Sequence, residues 1–404
     1  MFKILRPILF AMNPETAHNV VLWMLRIVGY IPLGRWILRK CYAVEHPSLE
    51  REVFGLRFKN PIGVAAGFDR NADIYRELSA MGFGFVEVGT ITPRPQTGNP
   101  KPRMFRAIDN EALLYRTGVA NKGLERAISR LRRPRKGTIM GCNIGKNSIT
   151  PIENQPADYL KLFRNLYQYV DYFTIHVSYN AIARDSAAHT KQNVLDILNP
   201  LFEFRRGQNE YCPILLKISA DLPDEVIDDM TDIMIDTPLD GMVAVNAPLS
   251  RDKISTANVP AISTFVSGTP LTQRAIEVVR RVHQRSEGLY PIIGVGGLMT
   301  PEDIRAMLDA GATLVQLYTG VVYHGMKLVQ ETCRMLIHDA QVAEMEEKAR
   351  KLAEMEAHRA ELIRKQQEEK DKEQQQNQAE AENQQPEEVQ QQQTDNESGD
   401  NNNR

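Results

Sequence analysis

Between residues 61 and 320 short apolar stretches alternate with longer amphipathic ones, and the alternation repeats eight times. The apolar stretches fall at 61–66, 85–89, 138–143, 172–177, 213–218, 241–246, 291–295 and 313–318. Runs this short and this continuously apolar predict strands buried on both faces, the pattern of a parallel sheet. Residues 73–81, 155–170, 223–236, 272–287 and 301–310 carry helical spacing between them. Thr300-Pro301-Glu302-Asp303 shows how such a helix starts, with a cap, a proline in the first turn and acids near the positive end of the dipole. Eight strand–helix units in about 260 residues match a closed α/β barrel, the (β/α)8 TIM barrel, in count and size. An open doubly wound sheet is the alternative, but no GxGxxG turn follows the first strand.

The flanks differ from this middle, and the chain divides into residues 1–45, 46–339 and 340–404. Over residues 1–44 six basic residues (Lys3, Arg6, Arg26, Arg35, Arg39, Lys40) stand against one acid, Glu15. They are interspersed with Phe2, Ile4, Leu5, Val20, Val21, Leu22, Trp23 and Leu25, and Asn13-Pro14-Glu15 is a helix start. Such amphipathic helices suit a membrane interface, or equally a helical hairpin packed on the barrel or on a second subunit. The apolar run 20–25 is too short to span a bilayer. After residue 340 Glu, Lys, Ala and Gln dominate, then Gln, Asn and Asp, which predicts a charged helix fraying into a low-complexity tail.

A net charge of −2 argues against general nucleic-acid binding. The four cysteines (Cys41, Cys142, Cys212, Cys333) are far apart, without metal-ligand spacing, as free thiols in a reducing compartment would be. No metal is expected.

Barrels of this class carry their chemistry at the C-terminal ends of the strands. Every predicted strand delivers a polar or flexible residue there: Asp69 and Arg70, Thr90, Asn143, His176, Lys217, Asn246, Gly296-Gly297, and Tyr318-Thr319-Gly320. The last two sets are the glycine-rich ends that cradle a phosphate between the seventh and eighth strands. Lys217 sits inside Ile214-Leu215-Leu216-Lys217-Ile218, where burial requires an anionic partner. That partner is either a bound ring that gains negative charge, as a reduced flavin does, or a structural carboxylate.

These residues resemble the dihydroorotate dehydrogenase family. Gly63-Val64-Ala65-Ala66-Gly67-Phe68-Asp69-Arg70 looks like its first barrel signature, and Gly82-Phe83-Gly84-Phe85-Val86-Glu87-Val88-Gly89-Thr90-Ile91-Thr92-Pro93-Arg94-Pro95-Gln96 like its second. Lys101-Pro102-Arg103-Met104-Phe105-Arg106, Asn143-Ile144-Gly145-Lys146-Asn147, Ser267-Gly268, Gly294-Val295-Gly296-Gly297 and Val315-Gln316-Leu317-Tyr318-Thr319-Gly320 also match. Asn13-Pro14-Glu15-Thr16-Ala17-His18 resembles the extension of the class 2, quinone-dependent branch, and the likeness covers about residues 1–335. The resemblance implies FMN held by Ala66, Gly67, Thr90, Asn143, Lys217, Gly268, Gly297, Tyr318 and Thr319. It implies quinone contacts at His18, Arg106 and Tyr318, and oxidation of dihydroorotate to orotate in pyrimidine biosynthesis. It further implies a peripheral protein on the cytoplasmic face of a membrane.

The substrate side departs from the family pattern. Arg70 replaces a lysine, Tyr115 an asparagine, Val119 a phenylalanine and Ala247 a threonine. The family base, a serine after the fourth strand, falls on Tyr179 in His176-Val177-Ser178-Tyr179-Asn180, a segment one residue shorter than the family's. Substrate contacts are therefore expected at Arg70, Tyr115 and Asn246, and the base at Tyr179 or His176. A different substrate, or a flavin-binding pseudoenzyme acting through interactions, stays open alongside the family reaction.

Overall fold

The structure, a computed structural model, describes residues 2–133, 137–177, 190–251, 254 and 262–384, with side chains from residue 5 to residue 380. Three helices open the chain: α1 (Phe2–Ala11), α2 (Pro14–Tyr30) and α3 (Gly34–Tyr42). A small antiparallel hairpin follows, β1 (Arg51–Val53) and β2 (Leu56–Phe58). Then come β3 (Ile62–Val64), α4 (Tyr75–Ala80), β4 (Phe85–Ile91), β5 (Met104–Ala107), β6 (Ala112–Tyr115) and α5 (Gly123–Leu131). Next are β7 (Ile139–Ile144), α6 (Gln155–Leu166), β8 (Tyr172–His176), α7 (Lys191–Arg206), β9 (Ile214–Ser219) and α8 (Asp224–Asp236). The chain continues through β10 (Gly241–Asn246), β11 (Phe265–Gly268), α9 (Thr272–Arg285), β12 (Ile292–Val295), α10 (Pro301–Asp309), β13 (Leu314–Leu317), α11 (Thr319–His324) and α12 (Lys327–Gln384).

Strands β3, β4, β7, β8, β9, β10, β12 and β13 close into an all-parallel barrel. All eight expected strands are present, each within two residues of its predicted ends. The expected cap of α10 forms as a capping box: Thr300 Oγ1 accepts from the Asp303 N–H, and Asp303 accepts from the Thr300 N–H at 2.9 Å. Three small features are absent from the sequence reading. These are the β1–β2 hairpin, the antiparallel sheet β5–β6–β11 inserted after β4 and β10, and a third N-terminal helix, α3. Their strands are three or four residues long, too short for an alternation to stand out.

The two-residue period of a strand sorts the barrel interior into layers. Phe85, Tyr172, Leu215, Val243, Ile293 and Leu314 form an inner apolar cluster, closed at the bottom by Val53 and Phe58 of the hairpin. Gly63 leaves room for the Phe85 ring, since a Cβ there would stand 2.4 Å from it. Two residues further along each strand come Glu87, Thr174, Lys217, Val245, Val295 and Gln316, so the next layer up is polar on four of six strands. The outer faces of the strands pack against the helices in one large apolar core.

The chain forms two compact units, residues 1–337 and 338–404. In the first, α2 is fastened to the barrel by a buried ion pair, Glu15 to Arg103 at 2.6 Å. Arg106 donates to the carbonyls of Leu9, Phe10 and Met12, which are left open at the end of α1. Trp23, Ile27, Tyr30, Ile31, Leu33, Trp36 and Ile37 nevertheless stay exposed. Among the described residues no single helix is long and apolar enough to cross a membrane. The second unit is described to residue 384, is helical there and is exposed from residue 341 to 380. Pairs such as Glu344–Lys348, Glu347–Lys351 and Glu361–Lys365 line its surface at the i,i+4 spacing that supports a solvated helix.

Candidate active site

At the C-terminal ends of its strands the barrel opens into a cavity with about 790 Å³ of atom-free space, its mouth included. Of the residues singled out in the sequence, Ala66, Gly67, Arg70, Tyr115, Lys217, Asn246, Gly297, Tyr318 and Thr319 line it, as does Ala247. The β5–β6–β11 sheet supplies further walls through Met104, Leu113 and Ser267.

The floor is electrostatically organised by a residue to which the sequence reading assigned no role. Glu87 is fully buried. It accepts hydrogen bonds from Asn143 Nδ2 (2.9 Å), Tyr172 Oη (3.2 Å), Thr174 Oγ1 (3.0 Å) and Gln316 Nε2 (2.7 Å). Lys217 on β9 is also buried; burial pushes its pKa down and the charge of Glu87 pushes it back up. The signal that would have found Glu87 is the one that found Lys217, a lone charge inside an apolar strand, Phe85-Val86-Glu87-Val88. Of the two alternatives for the partner of Lys217, the structural carboxylate is present as Glu87, and Lys217 also lines the cavity.

The wall near β12 and β13 is formed by glycines and hydroxyls packed against a helix start. Gly297 has φ +69°, and a Cβ there would lie 2.3 Å from the Thr272 nitrogen at the start of α9. Gly296, Gly297, Thr319 and Gly320 all line the cavity, and the hydroxyls of Thr319 and Ser267 are 2.8 Å apart. Backbone N–H groups beside a helix start suit a phosphate.

Four of the residues expected at the cofactor or as the base are not among those lining the cavity. The Thr90 hydroxyl donates to Asn143 Oδ1 at 2.6 Å, and Asn143 turns to Glu87, so both stand behind the floor. Gly268 ends β11, where a Cβ would meet the Glu111 carbonyl at 2.2 Å; its missing side chain serves strand pairing. His176 is buried at the end of β8, in register with Lys217, and its carbonyl accepts from Tyr159 Oη at 2.8 Å. Tyr179 lies outside the described residues.

On the other wall Arg70, which lines the cavity, donates from Nε to the Gly67 carbonyl at 3.3 Å and from Nη2 to Met104 Sδ at 3.9 Å. Burial raises the Tyr318 pKa, and the Arg70 charge works against that rise. Burial likewise drives the Tyr115 pKa well above the ordinary range. The Tyr318 ring meets Phe68 edge to face at 5.5 Å, and Phe68 meets the His18 ring of α2 at 5.2 Å. Burial, with help from Arg70, lowers the His18 pKa to about 4, so the imidazole is neutral near pH 7. The other quinone candidate, Arg106, is occupied with the end of α1 and stacks on Phe10 at 4.6 Å.

Comparison with known proteins agrees along most of the chain. The sequence profile of the family described as Dihydroorotate dehydrogenase matches residues 48–339. A protein named Dihydroorotate dehydrogenase (quinone) from Christiangramia forsetii is 43% identical over 332 residues, covering 82% of this chain and 97% of its own. One of the same name from Thermosynechococcus vestitus is 40% identical over 349 residues, covering 83% and 95%. Among solved structures, DHODH from Eimeria tenella in complex with ferulenol superposes with a TM-score of 0.73 at 29% identity, over 84% of this chain and 96% of that one.

Proposed function

The chain belongs to the dihydroorotate dehydrogenase family, and on that premise we propose that it binds FMN and oxidises dihydroorotate to orotate, with a quinone as final acceptor. The observation that carries the reading is the buried Lys217–Glu87 floor beneath a cavity with a wall of glycines and hydroxyls. An ammonium so placed suits a ring that gains negative charge on reduction, and Gly296, Gly297, Thr319 and Gly320 suit its phosphate. Ala66, Gly67 and Tyr318, which line the cavity, would hold the ring, and Thr90 and Asn143 would act from behind through Glu87.

Bound FMN supplies a two-electron acceptor for hydride from the C6 position of the substrate. The chain's own residues do the rest. Arg70 holds the substrate carboxylate with a planar fork where the family has a lysine. Tyr115 and Asn246 border the pyrimidine ring. Burial keeps Tyr115 protonated, so it acts as a hydrogen-bond donor. The C5 proton passes to a base at the end of β8 or just beyond it, His176 or Tyr179. A histidine has the better reference pKa for this, near 6.5 against about 10 for tyrosine. The His18–Phe68–Tyr318 aromatic series leads from the cavity to the N-terminal helices, and the quinone is placed at its far end. Exposed Trp23, Trp36 and their neighbours seat those helices in the membrane surface, peripherally.

Anaerobic mixing tests this. Dihydroorotate should bleach the flavin absorbance of the purified protein, and a quinone should restore it. A flavin that dihydroorotate leaves unchanged would turn the reading toward another substrate or a flavin-binding pseudoenzyme. His176→Asn and Tyr179→Phe identify the base, since loss of it costs roughly 10²–10⁴ in bleaching rate.

A further inference from the structure

A second cavity lies away from the barrel mouth, between α2, α3 and α4, with about 690 Å³ of atom-free space, its opening included. Its lining is dominated by guanidinium groups: Arg26, Arg35, Arg76 and Arg133, with Arg126 and Arg130 reaching the same centre. Two carboxylates are all that oppose them among the lining residues. Asp73 is shared by Arg26 (2.8 Å), Arg126 (3.2 Å) and Arg130 (3.0 Å), and Glu77 is paired with Arg35 (3.1 Å). Arg76 and Arg133 have no ion pair among the described residues. The Nε atoms of Arg26 and Arg126 are buried with no acceptor. Six arginines around two carboxylates leave a surplus of charge and of donors, which is a demand for an anion with several acceptor oxygens.

The mouth says which anion. Tyr30 lines the cavity and is 68% exposed. It ends a helical stripe with Trp23 and Ile27, and Ile31, Leu33, Trp36 and Ile37 continue the exposed apolar surface. A soluble anion has no use for that border. A phospholipid does, because its acyl chains would cover the Trp and Ile side chains while its phosphate enters the arginines. We propose that this cavity binds the phosphate of an anionic phospholipid, which would fix how the N-terminal helices sit on the membrane. The proposal rests on the peripheral-membrane reading above and adds a headgroup site to it.

Vesicle co-sedimentation of the full-length flavoprotein tests both separately. One set of vesicles is phosphatidylcholine, the other contains phosphatidylglycerol as well, at fixed ionic strength. The wild type should bind the neutral vesicles through its apolar face and the anionic ones about tenfold more tightly or better. Arg76→Gln/Arg133→Gln spares the Asp73 and Glu77 pairs, so folding is not at stake. It should keep neutral binding and lose most of the anionic gain. Lys161→Gln/Arg280→Gln removes the same charge from exposed sites on α6 and α9 and should keep the gain. Equal losses in the two double variants would mean diffuse attraction and overturn the site. Millimolar inorganic phosphate that binds the protein through Arg76 and Arg133 yet leaves the anionic gain on vesicles unchanged at constant ionic strength would mean a soluble anion and overturn the lipid assignment. Binding without anionic preference sinks the headgroup site alone, whereas no binding to either vesicle sinks the membrane reading with it.

Discussion

Lys217 and Glu87 are neighbours in space because both obey the same period: each stands two residues beyond an inward apolar residue, Leu215 or Phe85. Removing the ammonium leaves the Glu87 carboxylate without its countercharge and nothing to meet negative charge developing in the cavity. Lys217→Met should therefore lower the flavin reduction potential and slow bleaching by dihydroorotate roughly 10²-fold or more. A titration against redox dyes and stopped-flow absorbance read the two effects. His18 makes a pH prediction. Its pKa is about 4 in the folded chain against an ordinary 6.5, so between those values the unfolded chain binds more protons. The stability it contributes is complete above 6.5 and is lost as pH falls toward 4. Asp69 works in the opposite sense, since burial raises its pKa to about 6 and folding then takes up a proton below that pH. The comparison must thus be with His18→Gln, whose melting temperature should fall less than wild type from pH 6.5 to 4. Parallel melting curves across that range would rule out a buried neutral His18.

Element by element, the attachment of α2 depends on one buried pair. Glu15 and Arg103 are both nearly inaccessible, and Arg103 also donates to the Thr97 and Asn99 carbonyls. Breaking a buried pair from one side typically costs about 3–5 kcal/mol. Glu15→Gln should lower the melting temperature and expose the segment before β1 to limited proteolysis, while the barrel core stays resistant. Unchanged cleavage would mean that the aromatic contacts hold the helices without the pair. Glu15 also shows what the sequence could convey. As the one acid among six bases it stands out, but its partner lies 88 residues away and no periodicity links them. The barrel strands were legible because burial on two faces leaves a continuous apolar signature in each. The residues lining the cavity were legible because a parallel barrel sends every strand end to one face. The link from Thr90 through Asn143 to Glu87 was not legible, because position along a strand gives the height of a side chain in the barrel, not the partner it turns to.

At the scale of the molecule, the question is which parts the proposed chemistry needs. Every residue lining the cavity belongs to the unit of residues 1–337. The unit of residues 338–404 is exposed from 341 to 380, where its described ion pairs join residues within one helix. Such pairs contribute about 0.2–0.5 kcal/mol each and only to that helix. A chain ending at residue 339 should therefore keep its flavin, its melting temperature and its bleaching rate within about twofold. Removing residues 1–45 should act differently, releasing the protein from vesicles and abolishing reoxidation by quinone. Reduction by dihydroorotate should survive that deletion in part, because Arg70, Lys217 and Glu87 all lie in the remaining chain. Reduction and reoxidation would then separate at the boundary between the N-terminal helices and the barrel. If quinone reoxidised the shortened chain at the full rate, the acceptor would have to enter through the barrel mouth, and the His18–Phe68–Tyr318 series would be packing alone.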